Sequence, residues 1–484
     1  MAVLVVTVVA LAVRLVRLRF GFAHQIVDFD EGVYFGSSLS LVDGRVPYRD
    51  FVFVQPPLVT ILMTPFALLA KAVGSAVALG WATVATAVAG AAAVPLAARL
   101  VWHRGARVVV PVVALIAVHG DVVASSYTLL LEPWLLLLSL AAAVLVFRGD
   151  ELADGRRLLL GGVLLGLACA TKIWGVVPLL ALALVCLPDI RRLLRLAGGA
   201  VLGFAVPVLP FAVLAPGRFV DEVVIVQLTR APQRRTGNDF RLLHLFGTAP
   251  PDGELPGTGR GWLLALAVVL AAGAVVVTLT TLRRAGPLAR FAALVSVLVV
   301  AMLFVPGTFY WHYAGFAVPL LVIAMALPLS RLRPAAGRVW LAALLVWALL
   351  SAVALTVRTV ADDGNIDEHA AFAAVVPPGA CVVATMPTAT VADDRYAGPG
   401  CLQVVDPYGT VLTDTGGRQP SSRPPQGAAI TARWLRAIAS ADFVYVDRRE
   451  NRTLPAGDVT RVLREQFRVV AQPGLSGTLY ERVR

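Results

Sequence analysis

Asp28-Phe29-Asp30-Glu31-Gly32-Val33-Tyr34 follows the first apolar run of the chain, and Pro47-Tyr48-Arg49-Asp50 and Gln55-Pro56-Pro57-Leu58 come shortly after it. Three carboxylates stand close together in a chain that otherwise avoids charge. Ionisable groups beside a membrane core are costly, so their clustering at the end of an apolar run indicates a functional site. The alternative is a solvated loop whose acids cap a helix.

The composition around this stretch is that of a membrane protein. Of the 484 residues, 58% are hydrophobic and 15% are charged, and the mean hydropathy is +0.78. Long runs of Ala, Val and Leu, broken by short Arg-rich links, predict a polytopic helical membrane protein. The net charge of +12 would suit nucleic acid, but most Arg residues lie in these links, as the positive-inside rule predicts. We therefore expect no nucleic-acid partner.

The Arg-rich links also predict the topology, because an even number of spans must separate successive cytoplasmic links. This rule places the acidic stretch outside the cytoplasm, with residues 31–42 and 56–70 as helices of the first external loop and 216–260 as a long external loop. About eleven spans are expected. We predict them at 1–19, 78–101, 107–123, 129–147, 158–171, 174–188, 196–215, 261–282, 290–305, 314–330 and 339–357.

The composition changes again at Arg358, where a polar tail begins. We predict strands at 381–385, 402–405, 443–446 and 467–471, with helices at 429–440 and 458–466. The predicted fold is therefore an all-α polytopic membrane domain, 1–357, followed by a small α/β extracytoplasmic domain, 358–484. Cys381 and Cys401 would suit a disulfide if the tail lies outside the cytoplasm.

Two further candidate residues lie at the external ends of predicted spans. Glu132 begins the fourth span in Leu131-Glu132-Pro133-Trp134, and Lys172 lies at the turn between the fifth and sixth spans. An acid at membrane depth usually has a task, although a first-turn acid also stabilises the helix dipole. An anion-binding role for Lys172 competes with simple snorkelling of its ammonium to the interface.

The remaining candidates are an Arg cluster and a histidine among aromatic residues. Arg230, Arg234 and Arg235 lie in the loop 216–260, and His312 lies in Phe309-Tyr310-Trp311-His312-Tyr313. Guanidinium is the natural partner of phosphate, and the alternative is non-specific attraction to lipid headgroups. The aromatic residues are ordinary interface residues, whereas His312 is either a phosphate donor, a proton carrier or a structural histidine.

Together these residues predict carboxylates and cations on one side of a membrane. A reaction that uses both is transfer from a lipid-linked phosphate. A carboxylate deprotonates the acceptor hydroxyl, while cations stabilise the leaving phosphate as charge develops on it.

Asp30-Glu31, Pro56-Pro57-Leu58 and Glu132-Pro133, in this order, resemble motifs of the GT-C superfamily of integral-membrane glycosyltransferases. The most similar branches are the protein O-mannosyltransferases and the lipid A aminoarabinose transferases. Arg14 and Arg17 also resemble the Arg-containing end of the family's first span, and the resemblance covers roughly residues 1–330. One departure is Gln55, which stands where the aminoarabinose branch has Lys, so we expect the phosphate contacts to differ.

The resemblance implies a role for each candidate. Asp30 would be the catalytic base or an acceptor-site carboxylate, Glu31 its support and Glu132 a second active-site acid. Substrate binding would fall to Asp28, Tyr34, Gln55, Lys172, Arg230, Arg234, Arg235, His312 and Tyr313. No metal ligands are predicted; a divalent cation is compatible with such a site, and the sequence does not require one.

The resemblance also implies the reaction. The donor would be a polyprenyl-phosphate monosaccharide, transferred with inversion to a glycan, glycolipid or protein. A bacterial plasma membrane is expected, with the active site and tail extracytoplasmic and membrane lipids around the spans. A transporter or flippase of a lipid-linked anionic substrate is the alternative, but the charges lie on one face without matching halves. A transferase using a pyrophosphate-linked oligosaccharide and a cell-envelope scaffold are further alternatives.

Overall fold

The computed structural model describes residues 1–231, 236–249, 286–362, 366–396, 400–418, 424–470 and 473–483, with residues 261, 268 and 275. The described chain is mostly helical, as predicted, and a small sheet lies in its C-terminal part. It divides into two compact units. The membrane unit comprises Met1–Val16, Ala85–Val206 and Arg235–Asp362, and the loop-tail unit comprises Arg17–Val84, Pro207–Arg234 and Asp363–Arg484.

Five described helices are long and apolar enough to cross a membrane: Ser75–Arg104, Ile190–Ala212, Pro287–Phe304, Tyr313–Ser330 and Pro334–Ala361. Four shorter apolar helices are Leu58–Val73, Ala106–Val118, Glu132–Val146 and Ile173–Cys186. The chain begins with the helix Ala2–Arg14 and also contains Gly120–Ala124 and Arg156–Thr171. Each predicted span other than the eighth, 261–282, overlaps a described helix; most of the eighth lies outside the described residues. The total of about eleven spans stays a prediction.

Glycines bring two helices of the membrane unit into close contact. A Cβ on Gly162 or Gly166 would come within 2.3 Å or 2.1 Å of a backbone oxygen in the helix Ile190–Ala212. Gly199 and Gly203 face back in the same way, because a Cβ on either would lie 2.1 Å from a backbone oxygen of the helix Arg156–Thr171. Such spacing of small residues, four apart on both helices, lets membrane helices pack backbone to backbone.

The predicted external loop 216–260 is not open chain where the structure describes it. Pro216–Phe219, the π-helical turn Val220–Ile225 and Val226–Thr229 follow one another, and Asn238–Leu245 forms a further helix. The polar composition of 216–260 gave no sign of these short elements, of which Val220–Ile225 and Val226–Thr229 bury Val223 and Val226. These helical turns within 216–260 were not predicted, and the external position of the loop stays a prediction.

The two helices predicted for the first external loop are confirmed as Phe29–Val42 and Leu58–Val73. They pack against each other through a buried hydroxyl contact. Ser37 Oγ lies 2.8 Å from Thr60 Oγ1, and Ser38 Oγ donates to the Thr60 carbonyl at 3.0 Å. Both helices belong to the loop-tail unit.

The tail contains a four-stranded sheet in the order Val382–Ala384, Phe443–Asp447, Gly477–Arg482, Phe467–Val470. The first pair is parallel and the other pairs are antiparallel. The predicted helices appear as Ala428–Ser440 and Asp458–Gln466, and the buried Trp434 packs one of them into the tail core. Ile366–Val375, Pro387–Ala392 and Pro407–Asp414 are helices that were not predicted.

One predicted strand was wrong, and one strand was missed. Residues 402–405 do not pair as a strand; instead, the side chain of Gln403 donates to the Val382 carbonyl at 2.8 Å. The side-chain amide of Gln403 thus takes the place of the backbone N–H that a further strand would offer to this edge of the sheet. The missed strand, Gly477–Arg482, follows the turn residues Pro473-Gly474, but its only apolar side chains are the neighbours Leu479 and Tyr480, so it lacks the alternation that predicts a strand.

The first loop and the tail make hydrogen bonds within the loop-tail unit. Thr388 Oγ1 accepts from Gly32 N at 3.1 Å and lies 2.6 Å from the Asp28 carbonyl. Tyr396 Oη donates to the Gly36 carbonyl at 3.0 Å and lies 2.9 Å from Ser40 Oγ. The tail therefore holds the helix that carries the acidic stretch. The domain boundary at 357/358 stays a prediction.

Candidate active site

The acidic stretch forms the first turn of the helix Phe29–Val42. Asp28 is its N-cap and accepts from Asp30 N at 3.0 Å. Glu31 completes a capping box: its Oε1 accepts from Val27 N at 2.7 Å and from Asp28 N at 3.2 Å. Glu31 is buried, and its carboxylate is occupied by the backbone. The sequence folds this way because Asp followed by Glu three residues later satisfies the free amides of a helix start.

Asp30 differs from its two acidic neighbours because its carboxylate caps nothing. It is half-buried, and Tyr34, one turn later, donates its hydroxyl to Asp30 Oδ2 at 2.9 Å. Tyr34 is itself buried and packs edge-on against Phe53. One carboxylate oxygen is thus fixed by a rigid donor. The other, Oδ1, makes no hydrogen bond within the described residues.

A second carboxyl group, Asp406, lies near enough to interact with the charge of Asp30. Asp406 is the buried N-cap of Pro407–Asp414, and its Oδ1 accepts from Gly409 N at 2.6 Å. Burial, with a contribution from the charge of Asp30, raises the pKa of Asp406 to about 7, while Arg230 opposes the increase. Asp406 was not predicted as a site residue.

Cations and aromatic rings complete this group in the loop-tail unit. The guanidinium carbon of Arg230 lies 5.3 Å from the ring centroid of Tyr408, and that of Arg452 lies 6.0 Å from the same ring. Tyr408 in turn contacts Phe29, with 6.5 Å between ring centroids. A guanidinium group that stacks on an aromatic ring points its N–H groups sideways, a geometry that suits a phosphate or sugar oxygen. Arg230 was predicted from sequence, whereas Tyr408 and Arg452 were not.

Four of the predicted residues meet in the membrane unit around Glu132. Lys172 Nζ donates to Glu132 Oε1 at 2.5 Å, and His312 Nδ1 lies 2.9 Å from the same oxygen. The Lys172 ammonium also lies 4.6 Å from the Trp174 ring centroid and 4.8 Å from that of Tyr313. Glu132 and Lys172 are buried, so removing either residue would leave the other charge buried without compensation. Glu132 Oε2 has no hydrogen-bond partner among the described residues.

A second buried ionic group in the membrane unit was missed from sequence. Asp121 is fully buried; Arg358 Nη1 lies 2.6 Å from one of its oxygens and His244 Nδ1 lies 2.8 Å from the other. His119 Nε2 lies 3.0 Å from the Leu245 carbonyl nearby. The signal was the pair His119 and Asp121 inside a predicted span, where charge is costly.

The other predicted site residues do not belong to the groups described above. Gln55 accepts from the Tyr48 hydroxyl through its backbone carbonyl, at 2.7 Å. Arg234 and Arg235 lie outside the described residues. Cys381 and Cys401 are joined by a disulfide in the structure, with their Cα atoms 5.4 Å apart.

Comparison with known proteins identifies a family. The model of glycosyltransferase family 87 matches residues 53–306. The structure of ArnT from Cupriavidus metallidurans bound to undecaprenyl phosphate is similar, with a TM-score of 0.64 at 14% identity over 99% of this chain and 98% of that one. No curated protein sequence matches the chain.

A second solved structure is also similar. It is the oligosaccharyltransferase of Archaeoglobus fulgidus in complex with Zn and sulfate, with a TM-score of 0.55 at 13% identity over 100% of this chain and 73% of that one. At these identities the two similarities show the fold, and that fold is the GT-C fold.

Proposed function

The chain belongs to glycosyltransferase family 87, and we propose that it moves a monosaccharide from a polyprenyl-phosphate donor to an acceptor hydroxyl outside the cytoplasm. The similarity of its fold to ArnT bound to undecaprenyl phosphate supports a lipid-linked donor. The acceptor is a cell-envelope glycan, a glycolipid or a protein. The disulfide between Cys381 and Cys401 supports an oxidising compartment for the tail, as outside a bacterial plasma membrane.

The observation that carries this proposal is the hydrogen bonding of the Asp30 carboxylate. Its Oδ2 is held by the Tyr34 hydroxyl at 2.9 Å, while its Oδ1 makes no hydrogen bond within the described chain. A general base needs one oriented, available oxygen and a fixed carboxylate plane. Asp28 and Glu31 have a different task, because their carboxylates accept backbone amides and so cap the start of the helix.

The proposed reaction is a single displacement. The acceptor oxygen attacks the anomeric carbon of the sugar as its proton passes to Asp30. The bond between that carbon and the phosphate oxygen breaks, and the polyprenyl phosphate leaves with the electron pair, so the configuration inverts. Arg230, held over Tyr408, supplies positive charge for the phosphate as the bond breaks.

Glu31 and Asp28 have a positioning role in this proposal. Their capping box sets the start of the helix Phe29–Val42 and hence the direction of the Asp30 side chain in its first turn. We propose that Glu132, Lys172 and His312 supply the buried charges of the membrane unit that the reaction requires, with Glu132 as the second acid. Lys172 Nζ and His312 Nδ1 lie 2.5 Å and 2.9 Å from the same Glu132 oxygen, so the buried carboxylate has polar partners in an apolar surrounding.

The test is transfer of radiolabelled sugar from a panel of polyprenyl-phosphate hexoses and pentoses in membranes. Wild type is compared with Asp30→Asn, Glu132→Gln and a matched control, Asp43→Asn. Asp43 lies at the end of the same helix and pairs with Lys71 at 3.7 Å. We expect transfer to fall by about 10²- to 10⁴-fold in Asp30→Asn and to persist in Asp43→Asn at equal expression. Unchanged transfer in Asp30→Asn would remove the base from the proposal.

A further inference from the structure

His24, His369 and Asp393 meet in the loop-tail unit although they come from three separate segments. His24 lies just before the capped helix of the first loop, His369 lies in Ile366–Val375, and Asp393 follows Pro387–Ala392. One potential ligand atom from each residue lies within 4.8 Å of the others. Among the residues that the structure describes, this group shares no hydrogen bond with Asp30.

The orientation of His24 is fixed by a backbone contact. Its Nδ1 lies 2.7 Å from the Ala392 carbonyl, and a carbonyl oxygen can accept a hydrogen bond but cannot donate one. Nδ1 therefore carries the hydrogen, and the lone pair is left on Nε2. A histidine held in one tautomer by a backbone carbonyl is the usual arrangement of a metal ligand. The backbone of His24 is left-handed, with φ of 66°, so the chain adopts an uncommon conformation at this residue.

Asp393 is the group that lacks sufficient partners. It is 2% exposed, its Oδ1 contacts His369 Nδ1, and its Oδ2 has no hydrogen-bond partner among the described residues. The nearby Arg395 does not satisfy the carboxylate, because its guanidinium donates to the backbone carbonyls of Val376 and Asp393. A buried carboxylate oxygen without a donor is costly, and a cation would remove that cost.

We propose that His24, His369 and Asp393 bind a transition-metal ion of the zinc type. Two imidazole nitrogens and one carboxylate oxygen favour zinc over magnesium or calcium, which prefer oxygen ligands throughout. Water completes a four-coordinate site. The imidazole rings of His24 and His369 stack, with centroids 3.8 Å apart and planes at 22°. Because the nitrogens of two stacked rings do not point at one position, the rings tilt when the metal binds.

The proposed ion has a structural consequence. It links the segment just before the acidic stretch to two separate parts of the tail. Within this unit Thr388 and Tyr396 already hold the helix Phe29–Val42 from the same part of the tail. The metal therefore adds a second link between the tail and His24, beside the hydrogen bond that His24 makes with the Ala392 carbonyl.

The test uses full-length protein purified in detergent with an affinity tag that contains no histidine. After chelation and removal of the chelator, the protein is titrated with Co²⁺, and then with Zn²⁺ as competitor. We expect the visible absorption bands of bound Co²⁺ to saturate at about one ion per chain and to disappear on addition of Zn²⁺. Metal analysis after dialysis should then find about one zinc per chain, and zinc should raise the midpoint of thermal unfolding.

Variants localise the site. His369→Ala and Asp393→Asn should lose the bands, the bound zinc and the thermal shift, while His103→Ala should retain all three. His103 is a suitable control because it pairs with Asp150 at 3.0 Å in the membrane unit. If either site variant fails to fold, the titration of wild type still decides whether one metal binds. Wild type without saturable binding, or folded variants that keep their metal, would show that the three residues form a hydrogen-bonded group only.

Discussion

The Tyr34 hydroxyl donates to Asp30 Oδ2 at 2.9 Å across one turn of the helix Phe29–Val42. This contact distinguishes Asp30 from the other two acids of the stretch, whose carboxylates bind backbone amides. In the proposed reaction the two oxygens of Asp30 have separate tasks, one for orientation and one for the acceptor proton.

Tyr34→Phe removes only this hydroxyl. A hydrogen bond to a charged group contributes about 1.5–3 kcal/mol, so we expect kcat to fall about ten- to a hundredfold. KM should change little, because the phenyl ring still packs against Phe53. Steady-state transfer assays separate the two constants. Tyr480→Phe, on a tail strand, is the matched control, and an equal loss of kcat there would assign the effect to general loosening of the unit.

Gly32 is a second sensitive point of the same helix. A Cβ at this position would lie 2.1 Å from Thr388 N, a backbone atom that cannot move aside. Gly32→Ala should therefore separate the helix from the tail and cost about 1–3 kcal/mol of unfolding free energy. Gly217→Ala, where a Cβ meets nothing within 4 Å, is the control. Equal thermal midpoints for the two variants would contradict this close contact.

The helices and part of the site could be predicted from sequence because their signals are local. Apolar runs located the spans, and the capping pattern located the helix Phe29–Val42. Glu132, Lys172 and His312 were predicted from the ends of three spans, and the structure brings them to one oxygen atom. Their roles stay predictions.

The part that could not be predicted depends on distant contacts. Thr388 and Gly32 are 356 residues apart, and no local pattern in the tail indicates such a contact. Asp406 resembles an ordinary helix N-cap in sequence, and only the fold shows that the charge of Asp30 acts on it. The grouping of His24 with His369 and Asp393 could not be predicted for the same reason, because these partners lie in the tail.

Asp406 predicts a dependence of stability on pH. Its pKa is raised to about 7 in the folded protein, chiefly by burial, from a usual value of 3.8. Between these values the unfolded chain has released the proton while the folded protein retains it, so this group lowers stability as the pH rises from about 4 to 7. Burial is the main cause that raises the pKa of Glu222 to about 8, so this group also lowers stability as the pH rises. Glu222 must therefore be present in both of the proteins that are compared.

Asp406→Asn retains a side-chain oxygen for Gly409 N but cannot titrate. We expect the thermal midpoint of wild type, relative to this variant, to decline between pH 5 and pH 7 and to level off above about pH 7. Thermal unfolding in detergent across this range measures the difference. A difference that stays constant with pH would show that Asp406 does not change protonation in this window.

The bond between Cys381 and Cys401 closes a loop with a sequence separation of 20 residues. Closing a loop of this size contributes about 3 kcal/mol by restricting the unfolded chain. Reducing agent should therefore lower the thermal midpoint of wild type and leave the double variant Cys381→Ser/Cys401→Ser unchanged. The other cysteines, Cys169 and Cys186, are free and remain in both proteins. Equal sensitivity of the two proteins to reductant would assign the effect to another cause.

Glu132 and Lys172 form a buried ion pair whose energetics and chemistry can be separated. Glu132→Gln leaves the Lys172 ammonium buried with no carboxylate at 2.5 Å, which should cost about 3–5 kcal/mol. The double variant Glu132→Gln/Lys172→Met removes both charges and should recover most of the lost thermal midpoint. If Glu132 acts in transfer, the double variant stays inactive although it is stable. If transfer returns with stability, the pair serves packing in the membrane unit and the second acid of the reaction lies elsewhere.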